Sequence, residues 1–296
     1  MTSRYLDPTN DVAFKKVFSD KEILKDFLNG TLHLEGERQI VELEYISQEE
    51  VPDIGQGKRS IFDIKVIDAA KNKYIVEMQN RPEPSFLNRV QLYASHSFVN
   101  QSKKGDSDNK ELMPIIVLVI VKNTIFPNDV PCISYHDTIE SVTKKRYLFA
   151  LSYAFIELGK FKKSADNLIT TEDYWLYYLS GSETTKEPPS SIKDAQVLRA
   201  YEAIEKFNWN EAQYDAYFKA KLILEAEEEQ IADSYSKGKA EGKAEGKAEG
   251  KAEGKAEGEK NKALTIARRM LLRGSSIEEA MEMTGLSKEE IELYKS

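Results

Sequence analysis

Hydrophobic and polar positions alternate along residues 59–79, RSIFDIKVIDAAKNKYIVEMQ, with the two-residue period of half-buried strands. Phe62, Ile64 and Val66 fall on one side of the first strand, and Ile61, Asp63, Lys65 and Ile67 on the other. After a polar turn at 68–72, Tyr74, Val76 and Met78 share one side, with Ile75, Glu77 and Gln79 opposite. Pairing Ile67 with Lys73 across the turn sets Asp63 against Glu77. Facing carboxylates repel and push one pKa up. A hard divalent cation removes that conflict, and Mg²⁺ takes one or two carboxylates together with water and phosphate oxygens. The competing reading is a register one residue off with both acids solvated, or neutralisation by Lys65 or Lys73.

Helical spacing precedes this hairpin. Thr9 reads as an N-cap for a helix carrying Phe14, Val17 and Phe18, and a second helix runs through Ile23, Leu24, Phe27 and Leu28 to Asn29-Gly30. Asp11 and Lys15 fall at i,i+4 beside the apolar stripe, the spacing of an ordinary surface ion pair as well as of a site edge. Residues 40–46 form a strand pattern, and 47–58 is a loop with Pro52-Asp53 and Gly55-Gln56-Gly57. Downstream, Ser85 opens a helix to about residue 101 with Phe86, Val90, Ala94 and Phe98 as its apolar positions. Arg89 and Tyr93 lie one turn apart on the adjacent stripe, suited either to phosphate binding or to a salt bridge and packing. The run 114–121, PIIVLVIV, predicts a strand covered on both faces, and 147–158 a further one. Helix, three strands, helix, strand is an α/β layer with a mixed sheet.

Beyond residue 161 the pattern is helical, over 172–179, 192–207 and 211–235, interrupted by a breaker-rich loop at 180–191. Tyr174, Trp175, Tyr177, Tyr178, Trp209, Tyr214, Tyr217 and Phe218 are assigned to the core in preference to base stacking. Residues 238–258 repeat GKAE with a strict period of four. On a helix each repeat turns about 400°, stacking Lys over Lys and Glu over Glu. The glycines at 238, 242, 246, 250, 254 and 258 each cost about 1 kcal/mol relative to Ala. This predicts a semi-flexible spacer, or a helix that orders against a partner copy. In 260–296, Ala263, Ile266, Ala267, Met270 and Leu271 mark one helix; Ser276 with Glu279, then Ser287 with Glu290, are capping boxes opening two more. Because the last helix is acidic, a helical docking module is preferred over a major-groove reader. The expected segments are 1–160, 161–236, 237–259 and 260–296, with self-association through the helical tail.

Composition narrows the classes. The 296 residues carry 41% hydrophobic residues and a net charge of -8, the wrong sign for non-specific coating of nucleic acid, though not for an enzyme whose acids hold metal. Basic rim candidates are Lys103 and Lys104, Lys144 to Arg146, and Lys160 with Lys162 and Lys163. One cysteine, Cys132, and three histidines exclude a disulfide framework and disfavour structural zinc. No run approaches a membrane span, and residues 1–11 lack signal-peptide character, so a cytoplasmic location is expected.

Together these residues resemble the PD-(D/E)XK nuclease superfamily, specifically its transposase family, also described as recombination-promoting nucleases. The resemblance rests on Asn10-Asp11-x-x-Phe14-Lys15-x-x-Phe18, then Asp63, then Glu77-x-Gln79, then Arg89-x-x-x-Tyr93, with the GKAE array and IARRMLLRGSSIEEAMEMTGLSKEEI as a family-type tail. It implies a restriction-endonuclease-like core followed by an α-helical C-terminal region. It further implies Asp63 and Glu77 as metal carboxylates, Asp11 as an assisting acid, and Arg89 and Tyr93 as phosphate or positioning contacts. Gln79 stands where the superfamily usually has lysine, and Lys15 or Lys65 is the candidate replacement for that charge. The implied function is a metal-dependent DNA endonuclease using Mg²⁺, with Mn²⁺ as a substitute, in recombination or transposition. The alternative is an inactive DNA-binding or oligomeric assembly protein keeping the fold.

Overall fold

The computed structural model describes residues 3–46, 64–80, 85–102 and 112–293. Asp63, the loop at 47–58, and Lys103 and Lys104 lie outside them. Two helices, α1 (Asp11–Val17) and α2 (Lys21–Thr31), lead into strands β1 (Leu43–Tyr45), β2 (Ile64–Asp68) and β3 (Lys73–Gln79). Helix α3 (Phe86–Val99) and strands β4 (Ile115–Val121), β5 (Ile133–Asp137) and β6 (Leu151–Glu157) follow. The sheet order is β1-β2-β3-β4-β6-β5. β3, β4 and β6 run parallel at its centre, and β1, β2 and β5 pair antiparallel outside them. This is the mixed sheet expected. The edge strand β5 was not anticipated, because ISYHD is short and polar.

Each sheet face has its own core. Val66, Tyr74, Val76, Leu118 and Ile156 pack with Phe14, Phe18, Phe27, Trp175 and Tyr201. Ile75, Val117, Val119 and Val121 pack with Phe86, Val90 and Ala94 of α3. The continuous apolar run of β4 therefore reflects two covered faces. α4 (Thr171–Gly181) and α5 (Ala195–Ala203) complete the first core, in or against which Tyr174, Trp175, Tyr177, Tyr178, Trp209 and Tyr217 pack; Tyr214 and Phe218, also expected there, are exposed instead.

α1 is capped by Asn10 rather than Thr9: the Asn10 side chain accepts from Val12 N, while Thr9 donates its N–H and hydroxyl to Asp7. α4 starts in a capping box of Thr170 and Asp173. Burial opposes ionisation of Asp173, but the Lys163 ammonium and the N–H groups of Ile169 and Thr170 outweigh it and hold the carboxyl below its usual range.

Two compact units divide at Ile223/Leu224. α6 (Glu211–Leu272) passes through that point as one helix, so the GKAE array is helical throughout. In the second unit α7 (Ile277–Thr284) and α8 (Lys288–Leu293) pack against the end of α6 through Leu264, Ala267, Ala280, Leu286 and Ile291. Both expected capping boxes are present, and Gly285 closes α7 at φ 71°, a left-handed position suited to glycine.

Asp173→Ala is expected to lower stability by about 1–2 kcal/mol at neutral pH. Because the folded pKa is depressed, this contribution is present above the unfolded carboxylate value of roughly 3.9 and fades as pH falls through the folded one. Urea unfolding of wild type and variant should therefore converge in acid.

Candidate functional site

The β2–β3 register is the one the alternation predicts. Ile67 pairs with Lys73, Val66 with Tyr74, Lys65 with Ile75 and Ile64 with Val76. The turn enforces it: Asp68, 7% exposed, accepts from Asn72 N at 2.8 Å, Asn72 Nδ2 at 2.9 Å and Tyr74 Oη at 3.0 Å. Asx-type bonding of this kind pins a tight turn, with Lys71 taking the positive φ of 69°.

Glu77 is 3% exposed and sits opposite Val119 of β4, with Gln79 opposite Val121. Strand alternation puts both on the face of Ile75, which α3 covers. Lys65, paired with Ile75, shares that face, one diagonal step from Glu77. α3 brings Arg89 and Tyr93, both half-buried; the Arg89 guanidinium lies 5.6 Å from the Phe86 ring, and Tyr93 packs at the edge of the α3 core. The structure thus gathers Lys65, Glu77, Gln79, Arg89 and Tyr93 on one side of the sheet.

Asp11 and Lys15 are placed differently. α1 buries Ala13, Phe14 and Val17 against the other sheet face, and Asp11 pairs with Lys15 at 2.6 Å on its exposed edge. The start of α1 nevertheless reaches the end of β3, where Asn80 Nδ2 donates to Thr9 O at 2.9 Å. Two residues here escaped sequence reasoning. Asn80 makes that tie. Lys122, the first polar residue after the β4 run, donates its backbone N–H to Gln79 O at 3.3 Å and its ammonium to Asp7 at 2.9 Å.

Several expected rim lysines are structural. Lys160 bonds Glu157 and the carbonyls of Pro127 and Val130, Lys163 holds Asp173, and Arg146 holds Asp137. A cavity of about 570 Å³ lies at the opposite end of the strands, lined by Asp68, Tyr74, Tyr135 and Arg146 among others. Of its acids Glu37, Asp68 and Asp137, Asp68 is consumed by the turn and Asp137 is paired with Arg146, and burial together with Asp68 pushes the Tyr74 phenol well above its ordinary value. That chemistry is structural.

The chain belongs to the PD-(D/E)XK nuclease family transposase family, whose model matches residues 8–233. Residues 260–296 match a second model, the Rpn/YhgA-like nuclease family C-terminal helix-turn-helix domain. The tail module expected as a docking element is thus a helix-turn-helix. Comparison with curated proteins and with solved structures gives no match. Among the described residues, no helix is long and apolar enough to cross a membrane.

The carboxylate of Glu77 is a hard donor of the kind that holds Mg²⁺ or Mn²⁺; among the described residues no group of three or more His, Cys, Asp or Glu comes together to hold a metal. Asp68→Ala strips Tyr74 and Asn72 of a buried acceptor and is expected to cost about 2 kcal/mol. It should also lower any activity that depends on the β2–β3 register, measured by urea unfolding and cleavage in parallel.

Proposed function

We propose that the protein is a Mg²⁺-dependent DNA endonuclease acting in recombination or transposition, with Asp63 and Glu77 as its metal carboxylates. The observation that carries this reading is the β2–β3 register, Ile64 opposite Val76 through Ile67 opposite Lys73, the register in which the alternation of the sequence sets Asp63 against Glu77. A bound divalent ion supplies the charge that activates water and neutralises charge developing on the phosphodiester. Glu77, held in the sheet, would hold that ion together with Asp63. Gln79 positions water or phosphate by hydrogen bonding. Arg89 offers a planar cation to phosphate oxygens and Tyr93 a positioning hydroxyl.

The charge that lysine supplies elsewhere in the superfamily comes from Lys65 in this reading. Lys65 lies on the Glu77 face, whereas Lys15 lies on α1, which covers the other one. Asp11 assists only through the ordering of the α1 start. DNA is further engaged by the helix-turn-helix at 260–296. The second reading, a DNA-binding protein that keeps the fold without catalysis, is favoured by Gln79 alone.

Supercoiled plasmid with Mg²⁺ is expected to be nicked by the wild type and not by Asp63→Ala or Glu77→Gln, each with an unchanged far-UV spectrum. Lys65→Gln should slow nicking and Lys65→Arg restore part of it, while Lys15→Gln has little effect. Nicking by both acid variants at the wild-type level would remove Asp63 and Glu77 from the mechanism, whereas no nicking by the wild type favours the non-catalytic reading. Removing 260–296 is expected to weaken duplex binding in a gel shift and to reduce its salt dependence; unchanged affinity would assign DNA binding to the core alone.

A further inference from the structure

In the second unit, charge of opposite sign is sorted into successive stretches of the helix-turn-helix. The end of α6 and the turn after it, residues 260–276, carry Lys260, Lys262, Arg268, Arg269 and Arg273 and no acid. Residues 277–293, which hold α7 and α8, carry Glu278, Glu279, Glu282, Glu289, Glu290 and Glu292 against Lys288 alone.

The fold keeps the two groups apart. α6 packs on α7 and α8 through Leu264 and Ala267, with Leu271 partly buried beside them. Each residue advances about 100° around a helix, so Lys262, Arg269 and Arg273 fall within roughly 40° of one another on the opposite side of α6. All three are exposed, and they make no ion pair among the described residues. The cation turned toward the acids is Lys260, which pairs with Glu290 at 2.6 Å.

A reader of this class ordinarily sets the start of its second helix against base edges in the major groove. In this chain that start is closed to an anion. The Ser287 N–H donates to the Glu290 carboxylate at 3.0 Å, and the Ser276 N–H to the Glu279 carboxylate at 3.0 Å. Lys260 and the Ser287 N–H hold the Glu290 carboxyl below its usual range, so it stays ionised at neutral pH. Unpaired N–H groups at a helix start are what draw phosphate, and here carboxylates of the same sign as DNA stand over them. Glu289 and Glu292, both exposed, add to that repulsion. The outer face of α6 has the opposite character. From Lys262 to Arg273 it extends about 16 Å at 1.5 Å per residue, and duplex DNA presents a phosphate roughly every 3.4 Å of axis on each strand. The three cations therefore reach separate phosphates of one backbone.

We propose that the helix-turn-helix meets duplex DNA with the outer face of α6, Lys262, Arg269 and Arg273 lying on the phosphate backbone, while α7 and α8 are turned away from the duplex. The proposal rests on the reading that this module engages DNA, and it names the surface that does so. Contacts to phosphate fix position without reading sequence, so the module adds affinity and leaves sequence choice to other parts of the chain.

The test is a gel shift of the full-length protein on duplex DNA without divalent ions, each variant having an unchanged far-UV spectrum. Lys262→Glu, Arg269→Glu and Arg273→Glu combined should weaken binding on the order of tenfold or more and reduce the salt slope by about 2 to 3. The loss should be equal on two duplexes of unrelated sequence. Arg269→Lys with Arg273→Lys should bind as the wild type does, and Glu289→Gln with Glu292→Gln no more weakly. A triple variant that binds as tightly as wild type, while removal of 260–296 weakens binding, overturns the proposal and leaves the DNA engagement of the module standing. If removal of 260–296 changes nothing, both fall. Weaker binding by the Glu289 and Glu292 variant, or a triple-variant loss confined to one duplex sequence, assigns the contact to α8 and overturns the proposal as well.

Discussion

Much of this molecule depends on the clamp at the β2–β3 turn. Asp68 satisfies two donors of Asn72 and the Tyr74 hydroxyl, which fixes how the two strands count against each other. A slip of one residue would move a strand's whole polar set to the opposite face. Glu77 would then point among the phenylalanines of α1 and α2, or Lys65 would leave the face of α3. A buried carboxylate at the turn thus determines what the face under α3 contains.

The sheet separates two tasks. One face, packed with Phe14, Phe18, Phe27 and Trp175, is built for cohesion, with aromatic pairs such as Phe18 and Phe27 at 4.8 Å between ring centroids. The other carries Lys65, Glu77 and Gln79 under a single helix, where apolar contacts give way to polar groups toward the strand ends. Parallel strands at the centre make this division possible, because they expose no edge there and draw their partners from both sides.

How far the sequence foretold this follows from the range of each interaction. Strand alternation, the capping boxes at Ser276 and Ser287, and the apolar run of β4 are local, and each was legible. The Asn10 cap was misplaced by one residue because Thr9 and Asn10 are both good caps, and the choice was made by Asp7, which engages Thr9. β5 was missed because an edge strand needs only one partner and carries little hydrophobic signature. The ties of Asn80 to Thr9 and of Lys122 to Gln79 join segments distant in sequence, and no spacing rule announces them. The continuity of α6 through six glycines also ran against propensity, as helix formation depends on more than the sum of residue preferences.

The first residues of the described chain are completed by the last part of the first unit. Leu6 N bonds Ile204 O at 2.9 Å, Asp7 N bonds the Tyr217 hydroxyl at 3.0 Å, and Asn10 Nδ2 bonds Tyr217 O at 3.3 Å. On a ribosome that emits the chain from its N-terminus, the segment ahead of α1 must wait for Tyr217 before its polar groups are satisfied. Contacts of such sequence separation form late. The end of β3, which Asn80 ties to that same segment, matures with it. A nascent or truncated chain therefore leaves the end of β3 without a finished frame, which closes only when the first unit is nearly whole.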